Sequence, residues 1–226
     1  MRLSGERETD MPRMDRSNLR LLLLLVSLAV ASAAAAQTPG TARGQSVALP
    51  GVKLWFTDTG GSGTPIILLH ANTGTSANWQ AQADAFSRAG YRVIAFDRRG
   101  WGKSVADPAT GPQPGTVAED LQNLVAHLKI EKFHLVGVAG GSFVALDYAA
   151  WHPERLLSLV FSASTGSIED REAKDFMARF ALPGFEGWSE DKKELSLSYR
   201  ASNVEGVRKW LDIQEHARQP GAPAQP

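Results

Sequence analysis

The chain contains no cysteine among its 226 residues. This absence excludes disulfide bonds, a thiolate nucleophile, a lipid-attached cysteine and cysteine-based metal sites. Lys and Arg balance Asp and Glu at 24 each, and they are scattered along the chain. Since no basic patch is present, we expect no nucleic-acid partner. The five histidines show no metal-ligand spacing, so neither a metal nor a cofactor is predicted.

The sequence also has no apolar run as long as the ~20 residues of a membrane-spanning helix. The apolar run at residues 21–36 is rich in Ala, follows three arginines and ends in small residues. This order predicts a secretory signal peptide over residues 1–36, and hence an exported protein, periplasmic or secreted. Met11 or Met14 is an alternative start. A membrane anchor is the alternative to cleavage, and after cleavage no stable membrane insertion is expected.

Beyond a short linker at residues 37–45, strand and helix patterns alternate. Apolar runs typical of strands buried on both faces alternate with amphipathic stretches typical of helices. This alternation predicts an α/β fold over residues 46–164, with a mostly parallel sheet and helices on both faces. The predicted strands are residues 52–57, 66–69, 91–96, 133–138 and 156–161. The predicted helices are residues 76–89, 116–128 and 143–150.

The pattern changes after residue 164. Polar-faced helix patterns occur at residues 167–180, 189–200 and 202–217 without strands between them, which predicts a helical cap over residues 165–218. Residues 219–226 have the composition of a linker, and we expect the core to resume beyond it. The last predicted strand, residues 156–161, would then be an uncovered apolar edge. Because such an edge is an aggregation hazard, we expect these 226 residues alone to be poorly stable.

The most informative segment is residues 135–146, where an apolar strand pattern meets small residues and then a helix pattern. Such a junction is typical of the G-x-S-x-G nucleophile elbow, where glycines flank a residue on a sharp turn. Between Gly137 and Gly141, however, the central residue is Ala139, which has no oxygen nucleophile. Ser142 is the alternative centre, but it would require glycine where Val144 stands. We therefore expect Ala139 at the turn and Ser142 inside the helix.

Four motifs in order resemble those of the α/β-hydrolase superfamily, specifically its small members with a helical cap. Residues 68–72 are similar to the strand-end H-G segment, with Ala71 in place of glycine. Residues 97–104 match the D-x-R-G-x-G-x-S loop, and residues 137–141 resemble the elbow. Residues 147–155 match the helix and turn that follow the elbow. The resemblance extends over roughly residues 46–226.

The resemblance implies a Ser-His-acid mechanism with two backbone amides as an oxyanion hole. Carried onto this sequence, the amides are those of Gly140 and Asn72, and the nucleophile position, Ala139, is vacant. His70, Asp97 and Arg99 are expected to support the loops. No histidine stands at the place of the catalytic base, and the chain ends before the family's acid and His.

The resemblance also implies a small-molecule substrate or ligand. The protein is similar to small-substrate ester or carbon–carbon bond hydrolases, and we expect it not to act as a serine hydrolase in this form. Two alternatives remain: a non-catalytic small-molecule-binding protein, and a truncated inactive gene product.

Overall fold

A computed structural model describes residues 42–166, 170–180 and 182–222, and in these residues the chain forms a seven-stranded mixed sheet. The strands are β1 (Arg43–Leu49), β2 (Val52–Asp58), β3 (Pro65–Leu69), β4 (Arg92–Phe96), β5 (Val105–Ala106), β6 (Phe133–Val138) and β7 (Leu156–Ser162). Their order is β1-β2-β4-β3-β6-β7, with β5 beside β2. The pairs β4–β3, β3–β6 and β6–β7 are parallel, while the pairs that involve β2 are antiparallel. The predicted α/β fold with a mostly parallel sheet is confirmed.

The first strand corrects the linker predicted at residues 37–45. β1 begins at Arg43 and pairs antiparallel with β2 along its whole length, from Arg43↔Asp58 to Leu49↔Val52. The first four residues of β1, Arg-Gly-Gln-Ser, include no apolar side chain, so the local sequence does not indicate a strand there. The backbone of β1 forms a strand because β2 offers a continuous row of partners, which local sequence does not reveal.

Helices follow the strands of the core. They are α1 (Gln80–Arg88), α2 (Val117–His127) and α3 (Gly140–Trp151), and short 3-10 turns precede α1 and follow α3. Thr116 begins α2 with a capping box: its side chain accepts from the Glu119 amide, and the Glu119 carboxylate accepts from the Thr116 amide. α3 begins three residues before the predicted start, directly after Ala139. Its first turn therefore belongs to the junction with β6.

Alternate residues of β3 pack on opposite faces of the sheet. Ile67 and Leu69 belong to a core with α2 and α3, while Ile66 and Leu68 belong to a core with α1. Because both faces are covered, a continuous apolar run is the pattern that such a strand requires. The predicted arrangement of helices on both faces is therefore observed.

In its described residues, the cap contains four α-helices and a short 3-10 turn at Phe185–Gly187. The α-helices are α4 (Arg171–Ala178), α5 (Glu190–Glu194), α6 (Leu197–Ser202) and α7 (Val204–Ala217). The helix predicted over residues 189–200 is divided, because Leu195 is extended and Ser196 begins a new helix by accepting from the Tyr199 amide. α7 ends against the core, where the carbonyl of Ala217 accepts from the Gly102 amide.

The linker predicted at residues 219–226 is wrong for its first residues. The side chain of Gln219 donates to the carbonyls of Gly102 and Ser104, and its amide donates to the carbonyl of Gly100. Gln219 thus fastens the end of the cap to the loop after β4. The composition of residues 219–226 did not predict this packing, because most of the hydrogen bonds come from the side chain of a single residue, Gln219.

β7 lies at the end of the sheet, and its only strand partner among the described residues is β6. Leu157, Val160 and Phe161 are exposed there, at 48%, 47% and 37%. The expected apolar edge is therefore present in the described part of the chain. The signal peptide predicted at residues 1–36 lies outside the described residues. Within the described ranges, no helix has the length and apolar character needed to cross a membrane.

Candidate active site

Ala139 occupies the sharp turn between β6 and α3. Its backbone has φ +47° and ψ −115°, a conformation that non-glycine residues rarely adopt. The Ala139 amide donates to the carbonyl of Ser162 on β7, and its carbonyl accepts from the Ser142 amide. These two hydrogen bonds hold a strained residue in place at the carboxyl end of the parallel strands.

The neighbouring glycines show why the turn is centred on Ala139. A Cβ at Gly141 would collide with the backbone carbonyl of Leu69, and one at Gly137 would lie 2.7 Å from the carbonyl oxygen of Gly141. Both positions therefore require glycine, because backbone rather than a flexible side chain blocks them. Ser142 is fully buried inside α3, where its Oγ donates to the carbonyl of Ser162. That placement leaves its hydroxyl no access to a ligand.

Asn72 and Gly140, the two residues expected to supply oxyanion amides, lie side by side. A Cβ at Gly140 would collide with Oδ1 of Asn72, so the Asn72 side chain lies directly over the start of α3. Within the described residues, neither backbone amide donates a hydrogen bond to the protein. The Asn72 carbonyl is held by the indole N–H of Trp101 at 2.8 Å. Two amide donors without a partner among the described residues therefore adjoin Ala139.

Both residues line a cleft of about 1090 Å³ between the core and the cap, here named the elbow cleft. The core supplies Asn72, Arg98, Trp101, Gly140 and Phe143, and Arg218 follows cap helix α7. The volume is sufficient for a small organic molecule. The elbow cleft is therefore the candidate site.

The ring of His70 is buried, and both of its nitrogens form hydrogen bonds with backbone groups of the surrounding loops. Its Nε2 accepts from the Arg98 backbone N–H at 3.0 Å, so the ring proton resides on Nδ1, which donates to the carbonyl of Ala71 at 2.7 Å. Burial, aided by the charge of Arg98, lowers the pKa of His70 to about 3. His70 is thus a neutral structural side chain, with neither ring nitrogen available as a base.

Asp97 and Arg99 make contacts that shape the loop after β4. The Asp97 carboxylate accepts from the amides of Ser76 and Lys103, at 2.7 and 2.8 Å. Arg99 forms a buried bidentate pair with Asp120 of α2, whose hydrogen bonds raise the pKa of Arg99. None of the described contacts of these two side chains involves the elbow cleft.

Arg98 is the functional candidate that the sequence analysis missed. Its side chain is buried and lines the elbow cleft, where it donates to Oδ1 of Asn72 at 2.7 Å and lies 4.4 Å from the ring centre of Trp101. The sequence offered one signal, a second arginine beside the arginine of the loop motif. That signal does not reveal which of the two is paired within the protein.

The remaining histidines lie away from the elbow cleft. His134 bonds with Ser158, His152 lies near Glu154, and His216 bonds with the carbonyl of Asp212. Of the residues that the structure describes, no histidine lines the elbow cleft. In the described part of the chain, no group of three His, Asp or Glu side chains is suited to holding a metal ion.

Comparisons with known proteins agree with this geometry. The sequence profile of the α/β hydrolase fold matches residues 64–201. The 2-hydroxy-6-oxononadienedioate/2-hydroxy-6-oxononatrienedioate hydrolase of Paraburkholderia phymatum is 39% identical over 166 residues, covering 72% of this chain and 53% of that protein. The enzyme of the same name from Burkholderia vietnamiensis is 33% identical over 167 residues, with the same coverage.

Among solved structures, a thermophilic esterase from Thermogutta terrifontis matches with a TM-score of 0.60 and 27% identity, over 79% of this chain and 68% of that one. A hydrolase from Pseudomonas aeruginosa at 19% identity matches in fold, with a TM-score of 0.58. The chain spans about half the length of the curated relatives named above. The profile match, the relatives and the elbow geometry together show that the chain belongs to the α/β-hydrolase family.

Proposed function

We propose that the elbow cleft binds a small carbonyl compound through the Asn72 and Gly140 amides and forms no acyl-enzyme at position 139. The observation that carries this proposal is the alanine at the apex of an otherwise complete elbow turn. An alanine methyl group has no lone pair to attack a carbonyl carbon. The adjoining unused amides are suited to stabilising negative charge on a carbonyl oxygen, an effect of about 3 kcal/mol per donor.

The relatives indicate the class of compound. Two proteins named 2-hydroxy-6-oxononadienedioate/2-hydroxy-6-oxononatrienedioate hydrolase are 39% and 33% identical to this chain, and the oxo group in that name supports a ketone as the bound group. For the whole protein, hydrolysis would require water to add to the carbonyl carbon while the leaving group departs with a proton. The described residues that line the elbow cleft include no histidine to accept that proton from water. Binding is therefore the function that this chain's own residues support.

Nuclear magnetic resonance of the full chain tests the binding proposal. Titration with acetophenone is expected to shift the amide resonances of Asn72 and Gly140, because its carbonyl accepts their hydrogen bonds. Ethylbenzene has a similar shape but lacks the acceptor oxygen, and it serves as the control ligand. Equal shifts with both ligands, or no shift at either amide, would contradict the proposal.

A fluorophosphonate probe tests the second half of the proposal. Since the described lining of the elbow cleft contains no serine, intact-mass measurement is expected to show no covalent adduct on the wild-type chain. The variant Ser142→Ala is the matched control. An adduct on the wild type that disappears in Ser142→Ala would place the nucleophile at Ser142 and overturn the assignment of the turn.

We also propose that the protein is exported, with residues 1–36 removed. The supporting observation is the order of basic, apolar and small residues in that segment. The N-terminal sequence of the protein recovered from its own cells tests this, and retention of residues 1–36 would contradict it.

A further inference from the structure

A second cavity, of about 580 Å³, lies beside the elbow cleft and is named here the helix cavity. Its walls are formed by α2, by the carboxyl-terminal half of α3 and by the loops at Pro50 and Pro112. The volume is within the usual range for a small-molecule site. The two spaces meet at Asp147, which is seven residues after Gly140 on α3, a rise of about 10 Å along the helix. The helix cavity is therefore a second place for a ligand, apart from the proposed carbonyl site.

Trp151, the last residue of α3, presents an aromatic ring to this cavity. It is 75% exposed, so the protein core does not use the ring. Two other tryptophans have a cationic side chain over the ring, Trp55 and Trp101. In the described part of the chain, no cationic side chain lies over Trp151. The electron-rich face of Trp151 is therefore free to attract a cation from solution.

Asp147 places a carboxylate beside this ring. It precedes Trp151 by four residues on α3, and this spacing puts two side chains on one face of a helix, with about 6 Å between their Cβ atoms. The side chain of Asp147 is exposed and has neither a hydrogen bond nor an ion pair with any described residue. A cation that stacks on Trp151 therefore also meets a negative charge that the described residues leave unpaired.

The other ionisable groups that line the helix cavity are Arg99, Glu119 and His152. The charge of Arg99 is neutralised within the protein by its bidentate pair with Asp120. Glu119 adds a second carboxylate to the lining, and His152 follows Trp151 at the end of α3. The negative end of the helix dipole also lies at this end of α3, where it favours a cation. The electrostatic character of the helix cavity is therefore suited to a positively charged ligand.

We propose that the helix cavity binds a small alkylated ammonium ion, which stacks on Trp151 and pairs with Asp147. The proposal is independent of the carbonyl site proposed above. Trp is the strongest aromatic partner of a cation, and the alkyl groups of such an ion contact the ring face directly. A metal ion is disfavoured, because the described residues contain no group of three His, Asp or Glu side chains suited to holding one.

Nuclear magnetic resonance titration of the full chain with choline and with neohexanol tests the ligand class. Neohexanol has the shape of choline but carries a carbon atom in place of the charged nitrogen. Choline is expected to shift the indole N–H resonance of Trp151, which is identified by its absence in Trp151→Leu. We expect choline to bind about five- to twentyfold more tightly than neohexanol, since it gains both the ring contact and the ion pair.

Two substitutions divide this preference between its sources. Asp147→Asn keeps the shape of the side chain and removes its charge, and Trp151→Leu removes the aromatic face. Each is expected to reduce the preference for choline by about two- to fivefold. The matched controls are Glu131→Gln, an exposed carboxylate outside the cavity, and Trp188→Leu, a partly exposed tryptophan of the cap. Both controls should retain the wild-type preference.

Several results would overturn the proposal. Equal affinity for choline and neohexanol, or no binding of choline at millimolar concentration, would show that the cavity does not select a cation. A preference that either Asp147→Asn or Trp151→Leu leaves intact would place the cation elsewhere. Choline is expected to leave the amide resonances of Asn72 and Gly140 unshifted, and a shift there would place it in the elbow cleft instead. The acetophenone titration monitors those two amides, so failure of one proposal is distinguishable from failure of the other.

Discussion

Lowering the pH is expected to destabilise the fold through His70, which both flanking loops hold in its neutral form. The ring accepts from the Arg98 amide and donates to the Ala71 carbonyl, so it has no place for a second proton. Its pKa is lowered to about 3 in the folded protein, from 6.5 in its ordinary state. The unfolded chain therefore takes up a proton at His70 at a higher pH than the folded chain does.

The size of the effect follows from proton linkage. Because the folded pKa is depressed, the contribution of His70 to stability is fully present above pH 6.5 and is lost as the pH falls toward 3. Each pKa unit corresponds to about 1.4 kcal/mol, so the full loss is about 5 kcal/mol. Between about pH 7 and pH 5 the expected loss is about 2 kcal/mol, a large part of a typical stability.

Urea unfolding at about pH 7 and pH 5 measures this loss in the full chain. His70→Gln keeps a donor and an acceptor but cannot be protonated, so its loss of stability between the two pH values is expected to be smaller by about 2 kcal/mol. The matched control is His127→Gln, which removes an exposed histidine from the end of α2 and should retain the wild-type pH dependence.

A specific outcome would refute the reasoning. If the wild type and His70→Gln lose the same free energy of unfolding between the two pH values, His70 is protonated in the folded state. In that case the assignment of the proton to Nδ1 and the hydrogen bond from the Arg98 amide are both wrong.

Three further substitutions test the site. Ala139→Gly is expected to raise the free energy of unfolding by about 1 kcal/mol, because glycine adopts a positive φ without strain; an unchanged urea midpoint would contradict the strain at this turn. Gly141→Ala is expected to lower it by about 2–3 kcal/mol through collision with the Leu69 carbonyl, and full stability would show that α3 can move. Asp97→Asn places an NH₂ group against one of the two backbone amides that the carboxylate accepts from. A thermal scan is therefore expected to show a free energy of unfolding that is lower by about 2 kcal/mol.

Much of the fold could be predicted because its signals are local. The apolar run of β3 predicts a strand buried on both faces, and the structure covers both faces with helices. Thr116 and Glu119 mark the start of α2 by a capping box whose spacing is visible in the sequence. The glycines around Ala139 likewise indicate where the sharp turn lies, since a side chain has no room at those positions. In each case the deciding contact involves neighbours in the chain or a regular pattern.

The sequence did not predict features that depend on distant partners. β1 is a strand because β2 pairs with it. Gln219 is packed against the core, rather than part of a free linker, because its side chain donates to the carbonyl of Gly102, more than a hundred residues away in the chain. Arg98 and Arg99 are adjacent and identical in type, yet one is paired with Asp120 and the other lines the elbow cleft.

The sequence by itself determined the family, five of the seven strands of the described sheet with the helices between them, and the alanine at the elbow. The tertiary structure decided where the proton of His70 resides, which of two adjacent arginines pairs with Asp120, and which two amides beside the elbow have no partner among the described residues. The physical reason is that pairing and solvation of a polar group depend on what surrounds it in space. Chain neighbours supply only a small part of those surroundings.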